Sequence, residues 1–232
     1  AIGVNALAAN TTASNNVAVG SGAGDAITTG SNNTAIGRDS LSVMTTQSGN
    51  TAVGRGAGFN AATSGLTYLG FQAGYNTSTG YDNVAVGVNA LFSNTTGNEN
   101  VAIGYRALIA NTTASDNTAV GNGALDSATT GGTNTSVGRN SLADCTTGSG
   151  NVAVGNDASE NLTTGVNNIC IGIDCADTLT TGDSNIFIGN TARGSSSSAS
   201  NQISMGVVVS CVGDNNFTFG NQSTDSNIAF GA

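Results

Sequence analysis

Aromatic side chains are the most clustered of the residues that could form a binding site in this sequence. The chain has seven Phe and four Tyr, and all four Tyr lie between positions 68 and 105. An exposed aromatic cluster can stack on sugar rings or dock another protein, whereas the alternative, which we favour, is packing between subunits. The candidate binding residues are Phe59, Phe71, Tyr75, Phe92 and Tyr105.

Cysteines form a second group with chemical potential. Cys170 and Cys175 both replace an Ala of the internal repeat described below. We interpret them as small buried side chains, and the alternative is a disulfide within one turn of the chain, which only geometry decides. A zinc site does not fit, because the spacings are wrong and the sequence has no His.

Charged residues make up only 8% of the chain, and 14 acidic residues outnumber five basic ones. Asp82, Glu99 and Asp116 recur at the repeat spacing, where stacked carboxylates could attract Ca²⁺. A solvated acidic stripe is the simpler interpretation, so we expect no bound metal. Three arginines (Arg38, Arg55 and Arg139) also share a repeat position, either paired with a carboxylate of another subunit or free at the surface.

The composition excludes several function classes. Five basic residues and a net charge of −9 are unsuited to nucleic-acid binding. The absence of His and Lys removes the commonest acid–base and Schiff-base groups. No apolar run reaches the ~18 residues of a membrane span. We therefore expect no catalytic residues, no cofactor, no nucleic-acid partner and no membrane insertion.

An internal repeat must position all these residues. The motif Asn-x-Ala-Val-Gly, seen at residues 16–20, recurs every 17 residues up to Gly206, apart from one 16-residue step between Gly54 and Gly70. Beyond Gly206 the steps shorten to 14 and 11 residues. We therefore divide the chain into regular repeats over residues 1–206 and shortened repeats over residues 207–232, which form a C-terminal cap or a transition to a following domain.

The repeat predicts an all-β fold. Counting the Asn as position 1, positions 2 to 4 form a short apolar run between Asn and Gly, which is typical of a strand bounded by turns. A short fixed period of such strands predicts a parallel β-solenoid, or β-roll, of about 17 residues per turn. Asn residues of successive turns should then form amide ladders, and the Gly should occupy a conformation or contact closed to other residues.

Both faces of the short strand are apolar in repeats such as residues 84–86. Val84 and Val86 point one way, and Ala85 points the other way. One face can line the thin core of the turn, and the other then needs a partner, most simply another copy of the chain. The alternative is that the position 3 Ala is a small surface residue. We expect Val86→Asp to loosen the array more than Asn89→Asp.

The run Asn-(Thr/Val)-Ala-(Val/Ile)-Gly-x-x-Ala-Leu resembles two related groups of proteins. One is the head of trimeric autotransporter adhesins, a parallel β-roll packed as a trimer. The other is the repetitive shaft of phage tail fibres and related virion proteins, whose longer repeats often carry Thr-Thr-Gly, as residues 83–97 do here. The 17-residue period and Thr-Thr-Gly favour the virion fibre.

The resemblance implies a homotrimeric structural fibre in the virion, which presents or forms a surface for a host receptor. Its partners would be itself, other virion or tail proteins, and a host cell-surface glycan or protein. The alternative is a bacterial adhesin head at the cell surface. Ice binding ranks third, because adjacent Thr residues before a turn Gly point to opposite faces. A glycan-cleaving tailspike would need a groove, for which the regular spacing leaves no insertion.

Overall fold

A computed structural model describes residues 1–221 and 224–229 of the chain. The fold is an all-β parallel β-solenoid of about 12 turns with about 17 residues per turn, which confirms the predicted fold class. No helix occurs in the described ranges. Within the predicted C-terminal segment 207–232, residues 222, 223 and 230–232 lie outside the description. The chain divides into two compact units, residues 1–116 and 117–232.

The first unit carries one three-residue strand in each turn from residue 17 onward. These strands pair in parallel in chain order, and each residue lies beside its equivalent in the next turn, as Ala18 beside Ala35. The strands are β1 (Val17–Val19), β2 (Thr34–Ile36), β3 (Thr51–Val53), β4 (Thr67–Leu69), β5 (Val84–Val86) and β6 (Val101–Ile103).

The second unit continues the pattern and then changes it. Its strands are β7 (Thr118–Val120), β8 (Thr135–Val137), β9 (Val152–Val154), β10 (Ile169–Ile171), β11 (Ile186–Ile188), β12 (Gln202–Val207), β13 (Asn216–Asn221) and β14 (Ser226–Ala229). Pairing from β7 to β13 is parallel in chain order, and β14 returns antiparallel to β13. The strands thus lengthen where the repeat spacing shortens.

The middle residue of each short strand faces the interior. In β5, Ala85 is fully buried, whereas Val84 and Val86 on either side are only half-buried. The same order holds in every three-residue strand of both units. The alternative that the position 3 Ala is a surface residue is therefore wrong, and Val86 lies on the outer side of its strand.

The turns of the solenoid use left-handed backbone conformations at residues other than Gly. Leu41, Leu91 and Leu108 have φ between 49° and 53° and are fully buried in the first unit. A left-handed conformation costs roughly 1–2 kcal/mol for such a residue. Full burial of a Leu side chain contributes about 1.5–3 kcal/mol, so packing offsets the strain.

Buried asparagines form the predicted amide ladders in each unit. In the first unit, Asn50 donates its backbone N–H to Oδ1 of Asn33 at 3.0 Å and its Nδ2 to the same atom at 3.1 Å. Leu66 has no side-chain amide, so it joins the ladder only through its backbone N–H, which it donates to Oδ1 of Asn50. In the second unit, Gln202 occupies the ladder position after Asn185 and donates its backbone N–H to Oδ1 of Asn185. The ladder thus ties each turn to the next through the side chain.

Asn151→Ala should lower the free energy of unfolding by about 3 kcal/mol, because buried backbone groups lose their partners. Oδ1 of Asn151 accepts the backbone N–H of Asn168 at 2.9 Å, and its Nδ2 donates to the Gly165 carbonyl at 2.8 Å. Asn122→Ala, at an exposed position of the same unit, should change stability by less than about 0.5 kcal/mol. Urea unfolding measures both, and equal midpoints would contradict the ladder's structural role.

Candidate functional site

The five candidate aromatic residues lie in two separate columns of the first unit. Phe59, Tyr75 and Phe92 stack on one another, with ring centroids 4.9 Å and 5.3 Å apart and ring planes within 15°. Phe71 and Tyr105 form the second column, just beyond the ends of β4 and β6, and both are exposed. The structure therefore brings three of the five together and leaves two apart.

The Phe59–Tyr75–Phe92 column, called the aromatic stack below, packs within a single chain. Both faces of Tyr75 are covered, one by Phe59 and the other by Phe92. A sugar ring therefore cannot stack on Tyr75, and the accessible parts of the column include the ring edges. These three rings pack between successive turns of one chain, and their expected packing between subunits stays a prediction.

A small pocket opens beside the aromatic stack. It has a volume of about 60 Å³ and is lined by Asp39, Arg55, Gly56, Phe59, Gln72 and Tyr75. Gly56 keeps it open, because a Cβ atom there would lie only 3.2 Å from Cε2 on the edge of Tyr75. The pocket therefore depends on Gly56 and on the rings of Phe59 and Tyr75, which are two of the candidate binding residues predicted from the sequence.

Arg55 forms one side of this pocket and differs in its contacts from the other two arginines at its repeat position. Its guanidinium Cζ lies 5.7 Å from the centroid of the Phe71 ring, which is a cation–π distance. Arg38 instead pairs with Asp39 at 3.0 Å, and Arg139 pairs with Asp157 at 2.7 Å. Within the part of the chain that the structure describes, Arg55 has no carboxylate at ion-pair distance.

Carboxylates gather on the second unit without forming a metal site. Partial burial raises the pKa of the Glu160 carboxyl above its ordinary value, and the neighbouring Asp157 and Asp144 raise it further. No group of three or more His, Cys, Asp or Glu among the described residues is arranged to hold a metal ion. In the first unit, Asp82, Glu99 and Asp116 are exposed, each with a left-handed backbone.

The four cysteines are all buried in the second unit. Cys170 and Cys175 form a disulfide within one turn, with their Cα atoms 5.9 Å apart, rather than two separate small side chains. Cys145 and Cys211 are free thiols. Burial raises the pKa of the Cys145 thiol to about 11, because the thiolate would lose its hydration.

Thiol counting should reproduce this cysteine arrangement. Iodoacetamide at pH 8 is expected to leave the native chain unlabelled, because the free thiols are buried and stay protonated. The denatured, unreduced chain should take up two labels, at Cys145 and Cys211, and the reduced denatured chain should take up four. Intact mass spectrometry gives the counts, and four labels without reductant would contradict the disulfide.

One of the two hydroxyl groups in most of the Thr-Thr pairs is used in a hydrogen bond within the solenoid. In the first unit, the first Thr of a pair donates its hydroxyl to a carbonyl one turn away, as Thr28 to Thr45 at 3.1 Å and Thr95 to Thr112 at 2.9 Å. The second Thr of each pair, such as Thr29, is exposed. Only one of the two columns therefore keeps its hydroxyls for an external ligand such as ice.

The outer side of the strands presents a row of partly exposed apolar side chains in each unit, because the last residue of every three-residue strand is Val, Ile or Leu. The first residues form a second row, in which each residue is Val, Ile or Thr. This outer sheet face consists of the first and last residues of the three-residue strands, together with Ile203 and Met205 of β12 and Phe217 and Phe219 of β13. None of these positions carries a charged residue. Leu69 is 49% exposed in the first unit, and Ile171 is 41% exposed in the second. A contiguous row of exposed apolar side chains of this kind is typical of an interaction site.

Comparison of this chain with family models, with curated proteins and with solved structures finds no match. The structure itself defines the class, which is a β-solenoid repeat protein. Over the described residues, no helix has the length and apolar character needed to cross a bilayer. Because a fold does not fix a function, the outer sheet face and the pocket must carry the functional argument.

Proposed function

We propose that this chain is the homotrimeric β-solenoid shaft of a phage tail fibre or virion surface fibre, which presents or forms a host-receptor-binding surface. It acts in the virion as a structural protein and catalyses no reaction. Its partners are further copies of itself, other virion or tail proteins, and a host cell-surface glycan or protein.

The outer sheet face is the observation that carries this proposal. Burying the exposed half of one Val or Ile side chain contributes about 1 kcal/mol. Association costs roughly 4–15 kcal/mol, so a stable complex must use the face over several turns. A partner that matches the strand spacing of about 4.8 Å turn by turn is most simply another stack of β-strands. Another copy of this chain meets that condition.

The sequence supports placing the fibre in a virion. The 17-residue period with Thr-Thr-Gly before the turn resembles fibre shafts more closely than adhesin heads. The lateral pocket beside the aromatic stack favours a second candidate, a bacterial surface adhesin that binds host material through its own side. Ice binding is the weakest candidate, because the first Thr of a pair donates its hydroxyl within the solenoid.

Binding of the labelled oligomer to cells tests this function. We expect saturable binding to a subset of bacterial strains, which periodate oxidation of the cell surface abolishes if the receptor is a glycan. Saturable binding only to animal cells or their matrix would favour the adhesin. The absence of saturable binding to any cell type would contradict a receptor-binding role.

A further inference from the structure

We propose that the pocket between Arg55 and the aromatic stack binds the carboxylate group of an acidic sugar in a surface polysaccharide. This inference deepens the proposed function, on which it rests for its biological setting, by naming the ligand class. The pocket is the place in the first unit where an unpaired cation, two ring edges and an amide side chain meet.

Arg55 provides the charge that would recognise a carboxylate. The chain has five basic residues against 14 acidic ones, so an arginine without a carboxylate partner is unusual here. The ring of Phe71 beneath the guanidinium helps to hold its plane. A guanidinium presents paired N–H donors that match the two oxygens of a carboxylate.

The ring edges favour an anion over a stacked neutral sugar. Phe59 and Tyr75 cover each other's inner faces, and the Tyr75 atoms that approach Gly56 are Cδ2 and Cε2 on the ring edge. Aromatic rings are electropositive at the edge and electronegative at the face. The pocket wall therefore attracts oxygen atoms, and the faces that Phe59 and Tyr75 turn toward each other are closed to the C–H groups of a sugar.

The remaining polar groups suit the hydroxyls of a sugar. Within the described residues, the side-chain amide of Gln72 has no hydrogen-bond partner, so it can both donate and accept. Asp39 is already paired with Arg38, which offsets its negative charge next to an incoming anion. These two side chains could fix the orientation of a ligand that Arg55 attracts.

The size of the pocket limits what enters it. A volume of about 60 Å³ is several times the ~10–15 Å³ that a single water molecule requires in a cavity. That space accommodates a carboxylate and leaves the pyranose ring outside, against the surface. The sequence also makes the pocket specific to one turn, because no other repeat combines Arg at position 6, Gly at position 7 and an aromatic residue at position 10.

Ligand-observed NMR tests the proposal with a tetrasaccharide that alternates glucuronate and N-acetylhexosamine, and with its carboxyl-reduced form. We expect saturation transfer from the native oligomer to the uronate rings, with a dissociation constant near or below about 1 mM. Arg55→Ala should weaken binding at least about tenfold, which corresponds to about 1.4 kcal/mol, because it removes the charge-assisted hydrogen bonds to the carboxylate. Arg139→Ala, at the same repeat position in the second unit, should bind like the native chain.

Three results would overturn the inference. These are no transfer to the acidic tetrasaccharide, equal binding of its carboxyl-reduced form, or equal binding by Arg55→Ala and the native chain. The native mass of each sample separates this proposal from the proposed assembly. A trimer that fails to bind refutes the pocket alone, and a monomer that still binds refutes the trimer alone.

Discussion

Gly37→Ala is expected to lower the free energy of unfolding by about 3–5 kcal/mol, from backbone strain and steric overlap together. Gly37 has φ +128°, and a Cβ atom there would lie 2.5 Å from the carbonyl carbon and oxygen of Gly54 in the next turn. That backbone cannot easily withdraw, because Gly54 donates its N–H to the Ile36 carbonyl at 2.7 Å. The substitution should therefore open the junction between two turns.

Gly49→Ala is the matched control, because it separates backbone strain from steric overlap. Gly49 also has a positive φ, +74°, but a Cβ atom there would meet nothing within 4 Å. Strain alone should cost about 1–2 kcal/mol. Thermal unfolding followed by circular dichroism compares the two variants. If both lose the same stability, close approach of the backbones is not the reason for the repeated Gly.

The double substitution Val154→Asp with Ile171→Asp is expected to convert the proposed trimer into folded monomers. The two residues are adjacent on the outer sheet face, at the ends of paired strands β9 and β10. Neither is fully buried in the single chain, so the fold should tolerate a polar group there. In a trimer packed through this face, six carboxylates would be desolvated near one another, which is strongly unfavourable.

Thr147→Asp with Thr164→Asp adds the same charge on another side of the second unit. Both threonines are exposed and lie one turn apart, away from the strands. We expect this control to remain trimeric by native mass spectrometry, and circular dichroism should show both double variants folded. Dissociation of both variants, or of neither, would contradict assembly through the outer sheet face. Val86→Asp places a charge on the same face. It should therefore weaken trimer assembly more than it disturbs packing in the interior of the solenoid.

The repeat made the solenoid predictable from the sequence, because each recurring residue type has a structural reason. Asn at position 1 predicted the buried ladder seen at Asn33 and Asn50, and Gly at position 5 predicted the contact seen at Gly37. The sequence could not decide which strand face was inside. A solenoid this thin buries the small Ala85 and leaves Val84 and Val86 outside, which reverses the usual relation between size and burial.

The candidate site was only partly predictable. The aromatic cluster was visible in the sequence, but the spacing did not show that the position 10 rings stack on one another whereas Phe71 and Tyr105 at position 6 do not join that stack. The role of Gly56 was missed, although a Gly between Arg55 and Phe59 was the available signal. The buried left-handed Leu91 could not be foreseen, because tertiary packing there overrides the local preference of the backbone.

The native mass of the isolated chain, measured by light scattering with and without mild denaturant, tests the central claim most directly. The account predicts a tight trimer of three times 22.6 kDa, because we propose that further copies of the chain cover the outer sheet face. A folded, stable monomer of 22.6 kDa would contradict it. The outer sheet face would then be an ordinary exposed surface, and the proposed fibre would lose its supporting observation.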